Sequence, residues 1–245
     1  MNFFPNVKSC RQMLAMLCFV LPVFGYAQTT TTNHTFSYTI LEVEPSNVEQ
    51  FEIVRGKVLS EANSNGGTPY ATWTFASKPE GTPFAGLAEN QLGLMIAWPS
   101  DGISQLNTLN VALEADSSVT IISSRLFEPI YLPSGLEVPT GRGFYVHREE
   151  EYRLEDVENA FRLSREAWVT WEPHWGVKVV GLFREIGDTS EIVNLNRIAW
   201  YPSYDAWLAT RNFLEDMESA VRFRERRTLL VPGSGIAIAT DRMLP

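Results

Sequence analysis

The side chains with the greatest chemical reach lie in the second half of the chain: Tyr145, His147 and Arg148 in one run, His174 and Trp175 in another, and Trp200 further on. Histidine titrates near neutral pH, so His147 or His174 suits a proton shuttle or a metal ligand. His34 sits in a polar tail and reads as solvated. Two histidines without a Glu-x-x-His pattern do not make a metal site, and none is expected. The run Glu149-Glu150-Glu151 suggests paired-carboxylate acid–base work. On a strand, however, Glu149 and Glu151 share one face and Glu150 takes the other, so the run reads as a strand end. The same alternation sends Tyr145 and His147 to one face and Arg148 to the other. Trp175 and Trp200 are expected on strands, where they could line a pocket with His147. Trp168, Trp171 and Trp207 fall on helices and read as core. There is no Gly-x-Ser-x-Gly elbow, phosphate loop or dinucleotide fingerprint, which leaves hydrolase and nucleotide chemistry without support.

The ends of the chain bound its compartment. Lys8 and Arg11 precede an apolar run from Met13 to Phe24, and Gly25-Tyr26-Ala27 places small residues before a cut at Gln28. That is the layout of a secretory signal peptide over residues 1–27, so an exported protein, periplasmic or extracellular, is expected. The run is shorter than the roughly 20 apolar residues that cross a bilayer, and no later stretch is longer. Both cysteines, Cys10 and Cys18, would leave with the leader, and disulfide and thiolate chemistry with them. Loss of Lys8 and Arg11 takes the net charge from −9 to −11. So acidic a protein repels phosphate backbones, and nucleic acid is not an expected partner. Residues 28–33 read as a flexible tail.

The chemistry needs elements to hold it, and a weak internal repeat supplies them. Ile96-Ala97-Trp98-Pro99-Ser100 resembles Ile198-Ala199-Trp200-Tyr201-Pro202-Ser203, at a spacing of 102. Phe36 and Phe144, and Phe75 and Phe183, recur at a spacing of 108. By that spacing His147 falls opposite Thr39, and His174-Trp175 opposite Gly66-Gly67, so neither histidine is duplicated. In the first copy, the pattern predicts strands over Phe36 to Val43, Tyr70 to Phe75, Leu92 to Trp98 and Val119 to Tyr131. A helix opens at Pro45-Ser46 and a second after Asp101-Gly102. In the second copy, strands are predicted over Gly143 to Glu151, Trp175 to Glu185, Ile192 to Tyr201 and Thr228 to Asp241. One helix runs from Leu154 to Trp171, ended by Pro173. Another is capped by Ser203 or Asp205 and reaches Arg226 with a possible break. The fold class is therefore α+β: two tandem ferredoxin-like βαββαβ units, residues 34–132 and 142–245, joined by a linker at 133–141. Each unit would have an antiparallel sheet with both helices on one face. Stacking the two sheets closes an intramolecular α/β barrel and protects the sheet edges.

These residues resemble a known family. The arrangement is similar to the dimeric α/β-barrel superfamily, and the second copy resembles the NIPSNAP family. The likeness lies in Tyr145-Val146-His147-Arg148, in Val180-Gly181-Leu182-Phe183, and in Asn194 to Trp200 with the Tyr-Pro-Ser that follows. The first copy lacks the Tyr-x-x-Arg. The resemblance implies a barrel and no defined reaction. The leading expectation is a protein of undefined activity, non-enzymatic or weakly defined, that binds a small apolar or aromatic molecule in the barrel interior, with no cofactor expected. Rival expectations are a barrel-superfamily enzyme, either a cofactor-free monooxygenase or a haem-dependent catalyst, and a structural scaffold. The assembly expected is a monomer with a pseudo-dimeric barrel, or a homodimer.

Overall fold

A computed structural model describes residues 33–44, 47–99, 103–138, 141–187 and 191–243. The leader, the Thr29 to Thr32 tail, Pro45-Ser46, Asp101-Gly102 and linker residues 139–140 lie outside the described residues. In the first half, β1 (His34–Val43), α1 (Val48–Ser64), β2 (Thr68–Phe75), a short β3 (Ala85–Gly86), β4 (Gln91–Pro99), α2 (Ile103–Glu114) and β5 (Val119–Tyr131) follow in order. The second half runs β6 (Phe144–Arg153), α3 (Val157–Trp175), β7 (Lys178–Glu185), β8 (Ile192–Tyr201), α4 (Tyr204–Ala209), α5 (Met217–Arg227) and β9 (Ile236–Met243). Each half has the antiparallel ferredoxin-like strand order, β2-β4-β1-β5 and β7-β8-β6-β9.

The expected barrel forms by edge-to-edge pairing rather than by stacking. β5 pairs antiparallel with β7, and β9 pairs antiparallel with β2. Those two seams close the sheet on itself, so its principal strands have no free edge. The two-residue β3 adds to β9 in parallel. Inside the barrel, alternate residues from both halves meet in one aromatic core of Phe36, Tyr38, Trp73, Phe127, Tyr145 and Phe183. Outside it, α1 and α2 cover one half while α3 and α5 cover the other.

The strand registers revise the repeat. Phe36 pairs with Ala97, and Tyr145 pairs with Trp200. Tyr38 pairs with Met95, and His147 with Ile198. β2 and β7 each carry a bulge, between Pro69 and Ala71 and between Val179 and Gly181. The pairs match if Tyr38, not Thr39, is the counterpart of His147. The Ile-Ala-Trp likeness is then one residue out of step. Trp98 lies under the helices of its half, whereas Trp200 packs on the barrel-interior cluster. A one-residue slip moves a strand side chain to the other face.

Helix α3 corrects a second expectation. It continues through Pro173 to Trp175, so His174 and Trp175 belong to its last turn and not to a strand. Pro173 removes one N–H and crowds the carbonyl of Val169. Both residues are on the exposed side, where that carbonyl can tilt towards water. Gly176, at φ 63°, then closes the helix, and the Glu172 side chain accepts from the Val179 N–H at 2.6 Å. The helix expected from Ser203 to Arg226 is two helices, with Asp216 capping the second. The strand expected from Thr228 begins only at Ile236, and the intervening residues rim a cavity.

Candidate functional site

The structure divides the candidate residues among three places. Tyr145 and His147 point into the barrel and are fully buried. The Tyr145 hydroxyl donates to the Gly141 carbonyl at 2.6 Å, and its ring lies against Trp73. His147 Nε2 shares a hydrogen bond of 3.0 Å with the Thr240 hydroxyl. Its ring stacks on Tyr38 and meets Trp73 edge-on, with centroids 5.7 and 4.9 Å away. Burial, helped by the Arg125 charge, pushes His147 down to about 3, so it is a neutral imidazole at physiological pH. Trp200 packs at one end of the same core, and its indole N–H donates to the Arg142 carbonyl at 3.2 Å. Side chains occupy this interior: a Cβ on Gly93 would come within 2.9 Å of the Tyr38 ring, so even a methyl group does not fit there. The interior candidates Tyr145, His147 and Trp200 thus lie among packed aromatic rings.

Arg148 and Trp175 lie on the other side of the sheet, where a cavity of about 570 Å³ separates β6 and β8 from α3 and α5. Trp168, Trp171, Trp175 and Phe223 form an aromatic wall, and Arg148, Glu150, Arg197 and Arg226 line the floor and one side. His174 is exposed, its ring edge-on to Trp175.

The charged floor follows from strand alternation. Val146, Arg148, Glu150 and Tyr152 share the helix-facing side of β6, and Arg197, Ala199 and Tyr201 share that side of β8. Glu150 is buried and ion-paired to Arg226 through both its oxygens, at 3.0 and 3.3 Å. The Tyr152 hydroxyl also donates to it at 3.0 Å. Burial alone would raise the Glu150 carboxyl. The Arg226, Arg197 and Arg148 charges outweigh burial and hold it down at about 2. Burial, above all, pushes the Tyr152 phenol up to about 12. Arg197 is buried at 9% exposure, and no hydrogen bond or ion pair ties its guanidinium to any described residue. Burial, with repulsion from Arg226, lowers it to about 10.

The sequence reading missed Glu150, Arg197 and Arg226 as site residues. A signal for Arg197 was present: Val193, Leu195, Arg197, Ala199 and Tyr201 occupy one face of a strand, and a lone cation interrupts an otherwise apolar stripe.

Neither place fits a haem. The interior histidine is hemmed in by Trp73 and Tyr38 and hydrogen-bonded to Thr240. The cavity's described lining offers no imidazole or sulfur donor, and its Tyr201 ring is held edge-on against Trp171. Among the described residues, no group of three His, Cys, Asp or Glu is placed to hold a metal ion. No described helix is long and apolar enough to cross a membrane.

No family model matches the chain, and no curated protein is similar to it in sequence. Solved structures are similar in fold. An anthrone oxidase-like protein is 11% identical, with a TM-score of 0.55 over 86% of this chain and 92% of that one. The chlorite dismutase from Candidatus Nitrospira defluvii, in complex with imidazole, is 8% identical, with a TM-score of 0.55 over 88% of this chain and 93% of that one. A mutant of the same protein is 11% identical, with a TM-score of 0.53 over 88% and 93%. At such identities the likeness shows the fold alone: a ferredoxin-like α/β barrel.

Proposed function

We propose that this chain is an exported binding protein whose small-molecule ligand, with a flat apolar body, sits between the sheet and helices of the second half. The observation that carries the reading is the cavity of about 570 Å³ with its wall of indoles, beside a barrel interior filled by its own side chains. Ligand pockets run from about 300 to 1,000 Å³ and are walled mostly by apolar and aromatic groups with a few fixed polar ones. No histidine lines the cavity, so the residue type best suited to moving protons near neutral pH is absent, and binding is favoured over turnover. The Tyr145 to Arg148 and Val180 to Phe183 motifs support NIPSNAP kinship for this half, and the leader-like first 27 residues support export.

Titration calorimetry with 2-naphthoate and 2-naphthol tests the site. One-to-one binding that Trp175→Ala weakens and His147→Phe leaves alone supports it. Binding that behaves the other way round returns the site to the barrel interior, and binding of neither compound ends the proposal. Amino-terminal sequencing of exported material should begin at or near Gln28; a chain that retains Met1 overturns export.

A further inference from the structure

The polar side of that cavity carries a charge problem that the protein does not solve by itself. Arg148 on β6 and Arg197 on β8 are directly opposite in the antiparallel ladder, and both face the helices. Like charges in that position repel and weaken the strand pair. Arg197 is nine-tenths buried, where an unpaired cation is costly. The nearby carboxylate is already committed: Arg226 and the Tyr152 hydroxyl take up the oxygens of Glu150. Asp216 caps α5 and accepts from the Ser219 hydroxyl and N–H. The described lining thus sets five arginines, counting Arg211 and Arg227 at the rim, against two acids, in a protein whose net charge is −9.

The first half shows that the fold does not demand these charges. The same ladder position there holds Thr39 opposite Leu94. Leu94 is core, and Thr39 hydrogen-bonds Ser124 at 3.0 Å.

We infer that the cavity is a receptor for an oxyanion on a flat apolar body, with Arg197 and Arg148 as its anion clamp and the tryptophan wall holding the body. The inference rests on the cavity's being the binding site. Arginine presents paired N–H donors that match a carboxylate or similar oxyanion. The ligand would supply the counter-charge that Arg197 lacks, and the depressed ionisation of Arg197 accords with an arginine short of one.

The probes are 2-naphthoate and its neutral analogue 2-naphthol, titrated at pH 7 into the full chain and into Arg197→Met and Arg197→Lys. The full chain should bind the anion about tenfold or more tightly than the neutral compound. Arg197→Met should erase that preference by weakening naphthoate alone, and should raise the melting temperature of the free protein. Arg197→Lys should restore part of the preference. Equal binding of the two compounds by the full chain, or a naphthoate advantage that survives Arg197→Met, overturns the anion clamp and leaves the cavity standing as a neutral site. Failure of both compounds to bind removes the cavity and the clamp together.

Discussion

Beneath α1 and α2 the first half of the barrel is solid. Leu41, Leu94, Ile96 and Trp98 rise from the sheet to meet Val54, Val58, Leu109 and Leu113. Beneath α3 and α5 the second half carries Arg148, Glu150, Arg197 and Ala199 on the same two strands, and a cavity opens where side chains of the first half interdigitate. The backbone plan is shared; what differs is whether the helix-facing stripe is apolar throughout. A tandem barrel can keep one half as a packed scaffold while the other gives up part of its core to charge. Asymmetry of this kind, rather than the repeat, is why we place the proposed site in the second half.

The largest effect should come from the motif that the two halves share in sequence but not in environment. Trp98 is fully buried under helices, and its indole N–H donates to the Ser37 hydroxyl at 2.9 Å. Trp98→Ala should cost about 3–5 kcal/mol, as for other buried aromatics. Trp200 lies partly exposed at a barrel end, and Trp200→Ala should cost about 1–2 kcal/mol, within the range of most single substitutions. Urea unfolding of the two variants gives the comparison. Equal losses would mean that the one-residue offset between the motifs has no energetic meaning.

Next in size is the buried Glu150–Arg226 ion pair of the second half. Glu150→Gln removes the carboxylate paired with Arg226 and leaves that charge beside those of Arg197 and Arg148. Breaking a buried pair costs about 3–5 kcal/mol. The adjoining cavity admits water, so about 3 kcal/mol is expected at pH 7. Arg197→Met, opposite Arg148 in the ladder, should move stability the other way. A loss from both substitutions would show that Arg197 pairs with Glu150 in solution and is not a free cation.

Much of the fold was legible because its signals are periodic. The strand pattern over Val119 to Tyr131 and Ile192 to Tyr201 matches the elements formed, and strand alternation alone separated His147 from Arg148. The duplication was legible in outline and wrong in register, because two Ile-Ala-Trp runs look equivalent whichever face they present. Only the hydrogen-bonded partners, Ala97 with Phe36 and Trp200 with Tyr145, resolve that ambiguity. The site was least legible. Its cavity depends on how far α5 stands from β8, and spacing along one chain does not encode such a distance. Pro173 misled for a local reason: a proline in the last, exposed turn breaks one hydrogen bond without stopping the helix.

The interior pair Tyr38 and His147 gives the halves different pH responses. Tyr38 is held neutral, its phenol raised by burial, and does not titrate in the accessible range. His147 is lowered from 6.5 to about 3. Between those values the unfolded chain binds a proton that the folded chain does not, so stability falls with pH. The loss should be about 2 kcal/mol between pH 7 and pH 5. Glu150 adds nothing over that interval, since its stabilisation, present above 4.5, is lost only as the pH falls towards 2. His147→Phe should flatten the profile between pH 7 and pH 5 while lowering stability overall by the orphaned Thr240 hydroxyl. An unchanged slope would assign the acid sensitivity to other groups.

The smallest contrast lies at the two long helices. Asn47 caps α1, its side-chain oxygen accepting from the Gln50 N–H at 2.8 Å. Asp156 occupies the same place before α3 and makes no side-chain cap, because a short 3₁₀ turn leads the chain into that helix. Removing a working cap costs about 1 kcal/mol. Asn47→Ala should therefore lower stability by about that much, whereas Asp156→Ala forfeits only the attraction of a carboxylate for the helix start, a few tenths of a kcal/mol, screened by salt. Neither should alter naphthoate binding, since neither residue lines the cavity. Denaturant melts at low and high salt separate the two: the Asn47 loss should be indifferent to salt, and the Asp156 loss should vanish. If Asp156→Ala cost as much as Asn47→Ala at high salt, α3 would have to gain a side-chain cap in solution, and its start would be built like that of α1.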